Sequence, residues 1–339
     1  PLTKNISTDL IPLLQVLHAQ QNSTVKTRDM YRRCATKKEA HSDSIWTVAW
    51  GPSTHIISGA VDGTVKRWAH TEGTTAENEE VKSPETITHS SSFEGHQLGV
   101  ISATLHPGGN LMATTCVDCR IRMYDMQDCS LIREIDAGAV ESWTGSFSGL
   151  KPHIATGSQS GAVNVFSHET GEKITSMDTT GDFVMSVAYS PDGQYIAAGC
   201  NGGMVSVFDS ESNAQIMKHT TSHTMPVRSV AFSKDGLLLL TASDDKHVNI
   251  YDPRQSQVVA SLAGHSSWVL SVAMSPDGKR FATGSADNKI KIWDLGLRRC
   301  VHTFDDHADQ VWSVAYNETG TRLVSGGDDG SINIFQLEV

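Results

Sequence analysis

The 339-residue sequence predicts an all-β protein built from seven copies of one short-stranded unit closed into a ring. Two observations predict the copies, and a third predicts the closure. A fixed residue pattern returns along the chain, its units are β-rich runs cut by turn signals, and a spare strand near the start can complete the last copy. Taking the residue before each terminal strand as an anchor gives Asp62, Asp118, Ser160, Gly202, Asp245, Asp287 and Asp329, at intervals of 56, 42, 42, 43, 42 and 42 residues. Six residues beyond each anchor stands a large aromatic: Trp68, Tyr124, Phe166, Phe208, Tyr251, Trp293 and Phe335. A period of this size signals a repeat architecture in which each unit is one supersecondary element.

Within a unit, "VLSVAMS", "RFATGS" and "KIKIWD" are β-rich runs, separated by the turns "SPDG" and "ADNK". Helical periodicity is missing, which excludes a helical solenoid. Anchor aspartates are accompanied upstream by His41, His96, His223, His265 and His307, at a spacing of 22 residues in four units and 21 in the first. Four residues before those anchors lie Ser58, Thr114, Thr241, Thr283 and Ser325. With their Trp-Asp-type endings, these units resemble the WD-repeat family, whose fold is a β-propeller with one repeat per blade. The resemblance runs from Glu39 to the C-terminus. It implies a seven-bladed WD-repeat β-propeller with an N-terminal strand closing the last blade, and a hydrogen-bonded network of His, Asp, hydroxyl and aromatic inside each blade.

Physical chemistry supports that network independently. A shielded carboxylate must be paired, and an imidazole can link it to a hydroxyl through its two nitrogens. The expected structural set is therefore His41–Asp62, His96–Asp118, His223–Asp245, His265–Asp287 and His307–Asp329. Trp68 and Trp293 are the two aromatics able to add an indole N–H. Units three and four carry Ser160 and Gly202 in place of the aspartate and lack the histidine. Loss of both together is what a shared network requires.

Closure needs a strand from outside the repeats, because little chain follows Phe335. "MYRRCATKK", Met30 to Lys38, is the candidate, and 30–339 is read as the propeller. Residues 1–29 fit no blade and are expected to form a flexible leader. The 14-residue excess in the first interval is assigned to a long polar loop over 71–92, between the first and second repeats.

Composition excludes several functions. A formal net charge of −11 disfavours a general grip on nucleic acid or membrane surfaces, and no apolar run is a convincing membrane span. Six scattered cysteines have no scaffold spacing. Cys116-Val-Asp-Cys119 is an isolated CxxC inside a turn, without the further ligands that zinc would need. No phosphate loop, GxGxxG, GxSxG or HExxH is present, so neither an enzyme, a metal site nor a cofactor is expected.

Binding remains. Aligning the innermost strands places Trp46, Ile101, Trp143, Met185, Arg228, Leu270 and Trp312 around one mouth of the central channel. Phe183 and Trp268 lie two residues upstream of their equivalents. Trp, Tyr and Arg dominate binding hot spots, so Trp46, Trp143, Phe183, Arg228, Trp268 and Trp312 are the expected partner-binding residues.

Stretches such as "EAHSDSIWTVAWG", "IDAGAVESWTGSF" and "CVHTFDDHADQVWSVAYN" are similar, within the family, to the WD-repeat subunits of the superkiller complex. That resemblance covers about Tyr31 to Val339. It implies a non-catalytic scaffold that binds a tetratricopeptide-repeat subunit and an RNA helicase for exosome-linked 3′→5′ mRNA decay. It also implies an association, in animal members, with the polymerase-associated factor complex in transcription elongation and histone modification, and hence cytoplasmic and nuclear locations. Two rival classes are a substrate receptor of a ubiquitin ligase, which would bring an extra recognition domain, and a propeller hydrolase, which would need convergent carboxylates or metal ligands in the channel.

Overall fold

The computed structural model describes residues 31–51, 54–73, 84–138, 142–219 and 223–337. These form seven four-stranded antiparallel sheets, arranged as the blades of a propeller. Each of the first six blades is one continuous stretch: 45–93, 100–136, 145–178, 184–219, 227–263 and 269–304. The seventh combines 311–336 with the strand Arg32–Lys37, which pairs antiparallel with Ile332–Gln336 in the register Arg33↔Phe335 and Thr36↔Asn333. The N-terminal strand therefore closes the last blade, as the repeat arithmetic requires.

Why these residues form strands is visible in blade six. In Arg280–Ser285, Phe281 and Ala282 are buried, the strand is covered on both faces, and the run reads accordingly as small and apolar. Its register puts Thr283 opposite Lys291 and Phe281 opposite Trp293, so Phe281 and Trp293 stack with centroids 5.8 Å apart. Such apolar layers between successive blades form the core. Around the channel the blades are also stitched by hydroxyls. Val48 N–H donates to Ser313 Oγ (3.0 Å), Ala103 N–H to Thr47 Oγ1 (3.1 Å), Gly145 N–H to Ser102 Oγ (3.1 Å) and Val314 N–H to Ser271 Oγ (3.2 Å). A small polar residue at this position thus satisfies a backbone donor that the neighbouring sheet cannot.

Two sequence expectations need comment. The leader over 1–29 lies outside the described residues. The loop over 71–92 is too long as read: Thr86–Phe93 is a strand, the outermost of blade one, and of the remainder 74–83 lies outside the described residues. Ile87 and Phe93 of that strand are buried, Thr88, His89 and Ser90 are exposed, and Ser91 and Ser92 are half-buried. Its polar run "THSSS" conceals a strand whose outer face needs no apolar residues.

Candidate functional site

Four blades keep the histidine, its aspartate and the hydroxyl together, two of them with an indole as well, and the geometry defines what the network does. In blade six His265 Nδ1 lies 2.9 Å from Asp287, its Nε2 lies 2.7 Å from Thr283 Oγ1, and Trp293 Nε1–H donates to the same hydroxyl at 2.9 Å. A carboxylate only accepts, so Nδ1–H must donate to Asp287. Nε2 then accepts from the threonine hydroxyl, whose oxygen accepts from the indole. Every donor meets one acceptor in a single directed chain. Blade one repeats it through His41, Ser58 and Trp68, with the Trp68 indole donating to Ser58 Oγ at 2.8 Å. There Thr64 shares the ring nitrogen at 2.8 Å and Asp62 lies at 3.3 Å. Blades five and seven keep His223–Asp245 (2.8 Å) and His307–Asp329 (2.9 Å) without an indole.

Burial opposes charge on both partners, and the hydrogen bonds decide which one carries it. Burial alone would raise the Asp245 carboxyl, but the bonds from His223, His247 N–H and Thr224 N–H overcome this and hold it at about 2. Asp287 and Asp329 are likewise held well below the usual carboxylate range, by His265 and Ser266 in one blade and by His307 and Ser331 in the other. For His41, burial outweighs the attraction of Asp62 and pushes the imidazole down to about 4. In the His41–Asp62 pair the imidazole is therefore neutral and the carboxylate, held below its usual range, carries the charge.

Blade two departs from the expected set. His96 keeps its Thr114 bond at 2.8 Å, yet no hydrogen bond or ion pair joins it to Asp118. Asp118 is taken instead by Arg122, at 2.6 and 3.2 Å, and Arg122 also pairs with Glu134 at 2.9 Å. Arg122 is only 2% exposed, and a buried guanidinium must be neutralised. It outcompetes a neutral imidazole for the carboxylate. Burial, reinforced by the Arg122 charge, pushes His96 down to about 4. The His96–Asp118 pairing read from spacing is therefore corrected. In blades three and four, Ser160 bonds to Ser158 (2.6 Å) and Ala198 is fully buried, so no network partner is left stranded.

The second candidate is the channel mouth. Trp46, Ile101, Trp143, Met185, Arg228, Leu270 and Trp312 line one cavity of about 330 Å³, floored by hydroxyls that include Thr47, Ser102, Ser229, Ser271 and Ser313. A local device aims these side chains. In six blades the pairing of the innermost strand skips one residue, and the skipped residues are Trp46, Ile101, Met185, Arg228, Leu270 and Trp312. A β-bulge bends the strand and redirects the extra side chain, here into the mouth. Trp46 and Trp312 pack at 5.9 Å. Phe183 and Trp268 do not line the cavity. Phe183 packs edge-on against Trp143 at 5.0 Å, and Trp268, 42% exposed, lies beneath the Arg228 guanidinium at 5.9 Å.

Sequence reasoning missed the residues that hold this mouth. Asp244 grips Arg228 through two oxygens at 2.7 and 3.0 Å, and Asp328 accepts from the Trp312 indole. The signal was present as Asp-Asp doublets at 244–245 and 328–329, in which the second aspartate serves the histidine and the first serves the mouth. Cys116 and Cys119 form a tight turn, with Cys119 N–H donating to Cys116 carbonyl at 3.0 Å. Among the described residues, no group of three or more His, Cys, Asp or Glu could hold a metal.

Comparison with known proteins agrees with this geometry. The WD domain, G-beta repeat family matches residues 32–69, 87–125, 256–294 and 298–336, and the Nucleolar protein 10-like N-terminal domain matches 134–268. WD repeat-containing protein SL1-17 of Schistosoma mansoni is 37% identical over 235 residues, covering 68% of this chain and 73% of that protein. The chain belongs to the WD-repeat family. WD repeat-containing protein VIP3 of Arabidopsis thaliana is 33% identical over 215 residues, covering 58% of this chain and 62% of that protein. Superkiller complex protein 8 of Dictyostelium discoideum is 33% identical over 99 residues, 29% of each chain. WD-repeat membership is thus secure, while the likeness to the superkiller subunit is partial and weaker than that to SL1-17 and VIP3. The WD match skips 126–255, which contains the two blades without the histidine network and most of blade five, which keeps it.

Proposed function

We propose that this WD-repeat propeller is a non-catalytic scaffold whose channel mouth holds protein partners within a superkiller-type complex. The observation that carries the reading is the aromatic mouth itself. Four ring positions, Trp46, Trp143, Arg228 and Trp312, converge on one open cavity, with Phe183 and Trp268 at its margin. The histidines and aspartates that could suggest catalysis are distributed among the blades and consumed by internal bonds. The partners proposed are a tetratricopeptide-repeat subunit and an RNA helicase serving exosome-linked 3′→5′ mRNA decay. A second assembly, the polymerase-associated factor complex, is proposed in the nucleus, so that the chain works in both cytoplasm and nucleus. Direct nucleic-acid binding forms no part of the reading, given the −11 net charge.

Supporting the finer assignment are the resemblance in the blade-entry segments and the 33% identity to the Dictyostelium superkiller protein over 99 residues. Affinity purification of the tagged chain from extract, followed by mass spectrometry, tests it. Recovery of a tetratricopeptide-repeat protein together with a helicase supports the reading. Recovery of ubiquitin-ligase subunits without either would replace it with the adaptor alternative.

A further inference from the structure

The ring is closed without a continuous chain at one place, between Arg32–Lys37 and Ile332–Gln336 in blade seven. Every other blade is a continuous stretch of chain. Polar side chains hold the terminal strand along its length. Arg32 Nε–H donates to Gln336 Oε1 at 3.1 Å, Thr36 hydroxyl to Asn333 Oδ1 at 2.6 Å, and Arg33 pairs with Asp306 at 3.0 Å.

A further contact lies beside the joint, where the Cys34 thiol of the terminal strand meets Glu85 and Arg322 stands opposite Gln336. Glu85, immediately before the outermost strand of blade one, places one oxygen 3.0 Å from Arg322 of blade seven and the other 3.0 Å from His70 Nε2. The three side chains are 9%, 13% and 1% exposed, and Trp50 packs edge-on over His70 at 5.7 Å. Glu85 and Arg322 are 237 residues apart in sequence. Among the described residues, this is the ion pair that connects two blades with both charges largely buried. The remaining largely buried pairs, such as Arg228–Asp244 and Arg122–Asp118, stay within one blade.

We infer that Glu85, Arg322 and His70 form a charge-dependent latch that keeps the propeller ring closed when the terminal strand loosens. The bland alternative is an ordinary ion pair stabilising the whole fold evenly. Location separates the two. Glu85 meets Cys34 of the terminal strand and Arg322 pairs with Gln336, yet neither lies in Arg32–Lys37 or Ile332–Gln336, so the pair touches both sides of the joint and still links blade one to blade seven if the terminal strand peels away. A buried pair stripped of one charge leaves the other uncompensated, so the latch fails sharply rather than gradually.

Hydrogen exchange on the full chain tests this. Glu85→Gln is expected to speed exchange of amides in Arg32–Lys37 and Ile332–Gln336 at least ten-fold, with Val269–Met274 in blade six unchanged. Unchanged exchange at the joint, or equal acceleration in all blades, overturns the inference. Should Glu85→Gln not fold, Arg322→Lys provides the same readout, with an intermediate acceleration at the joint expected and no acceleration overturning it. The charge-swapped pair Glu85→Arg with Arg322→Glu is expected to recover at least part of the protection lost in either single variant. No recovery would overturn the role of charge.

Discussion

Asp287→Ala in blade six measures the histidine network most cleanly. The carboxylate accepts from His265 Nδ1 at 2.9 Å, from Ser266 N–H at 2.9 Å and from Lys289 N–H at 3.1 Å. His265 is buried, and its other nitrogen is already engaged by Thr283. A hydrogen bond to a charged group contributes about 1.5–3 kcal/mol net, and a backbone bond that water can partly replace adds less. The expected loss is about 2–4 kcal/mol, read as a lower urea midpoint at unchanged slope. A double-mutant cycle with His265→Ala should recover a coupling of about 1.5–3 kcal/mol. The same cycle on His96 and Asp118 should return a coupling near zero, because Arg122 has taken that carboxylate. Equal couplings in the two blades would refute the assignment of roles, as would an Asp287→Ala protein of unchanged stability.

His41 and His96 have folded values near 4, below the unfolded histidine value of about 6.5. The unfolded chain therefore binds more protons between these limits. Their stabilisation is complete above about pH 6.5 and disappears as pH falls through about 4, at up to about 3 kcal/mol each. Urea unfolding at pH 7.5, 5.5 and 4.5 should show that decline, and a flat profile would contradict it. Asp245, held near 2, adds stability present above the unfolded value near 3.9 and lost only as pH falls through about 2. Its contribution should persist at pH 4.5, so Asp245→Asn should still be the less stable protein there. Replacing Trp46 and Trp312 together by Ala should weaken partner capture at least ten-fold, with the melting temperature shifted by only a few degrees, since both rings are partly exposed. Removing Arg32–Lys37 should leave a bare sheet edge and cause aggregation visible by light scattering; a monodisperse, equally stable truncation would be inconsistent with closure by that strand.

Much of the fold was legible because the repeat carries its own alignment. Once Asp245, Asp287 and Asp329 fall in register, the blade count, the strand order and the need for a borrowed N-terminal strand follow. Spacing could not reveal competition. Asp118 stands 22 residues after His96 like its equivalents, yet the arginine four residues later captures it, and only the three-dimensional arrangement shows which partner prevails. The strand Thr86–Phe93 escaped for a related reason: a half-exposed outer strand needs few apolar residues, and "THSSS" has the composition of a loop. The mouth residues were legible by alignment alone. What aims six of them, a bulge in the innermost strand, leaves no mark in composition because the skipped residue is Trp, Ile, Met, Arg or Leu depending on the blade.

The most direct measurement is a calorimetric titration of the purified chain with the proposed partner, a tetratricopeptide-repeat protein recovered with it, repeated for Trp46→Ala/Trp312→Ala and for Asp287→Ala below its melting temperature. The account predicts that binding is weakened by the mouth substitutions and retained by the Asp287 variant. Undiminished affinity in the mouth variant, or loss of binding in a folded Asp287 variant, would contradict it.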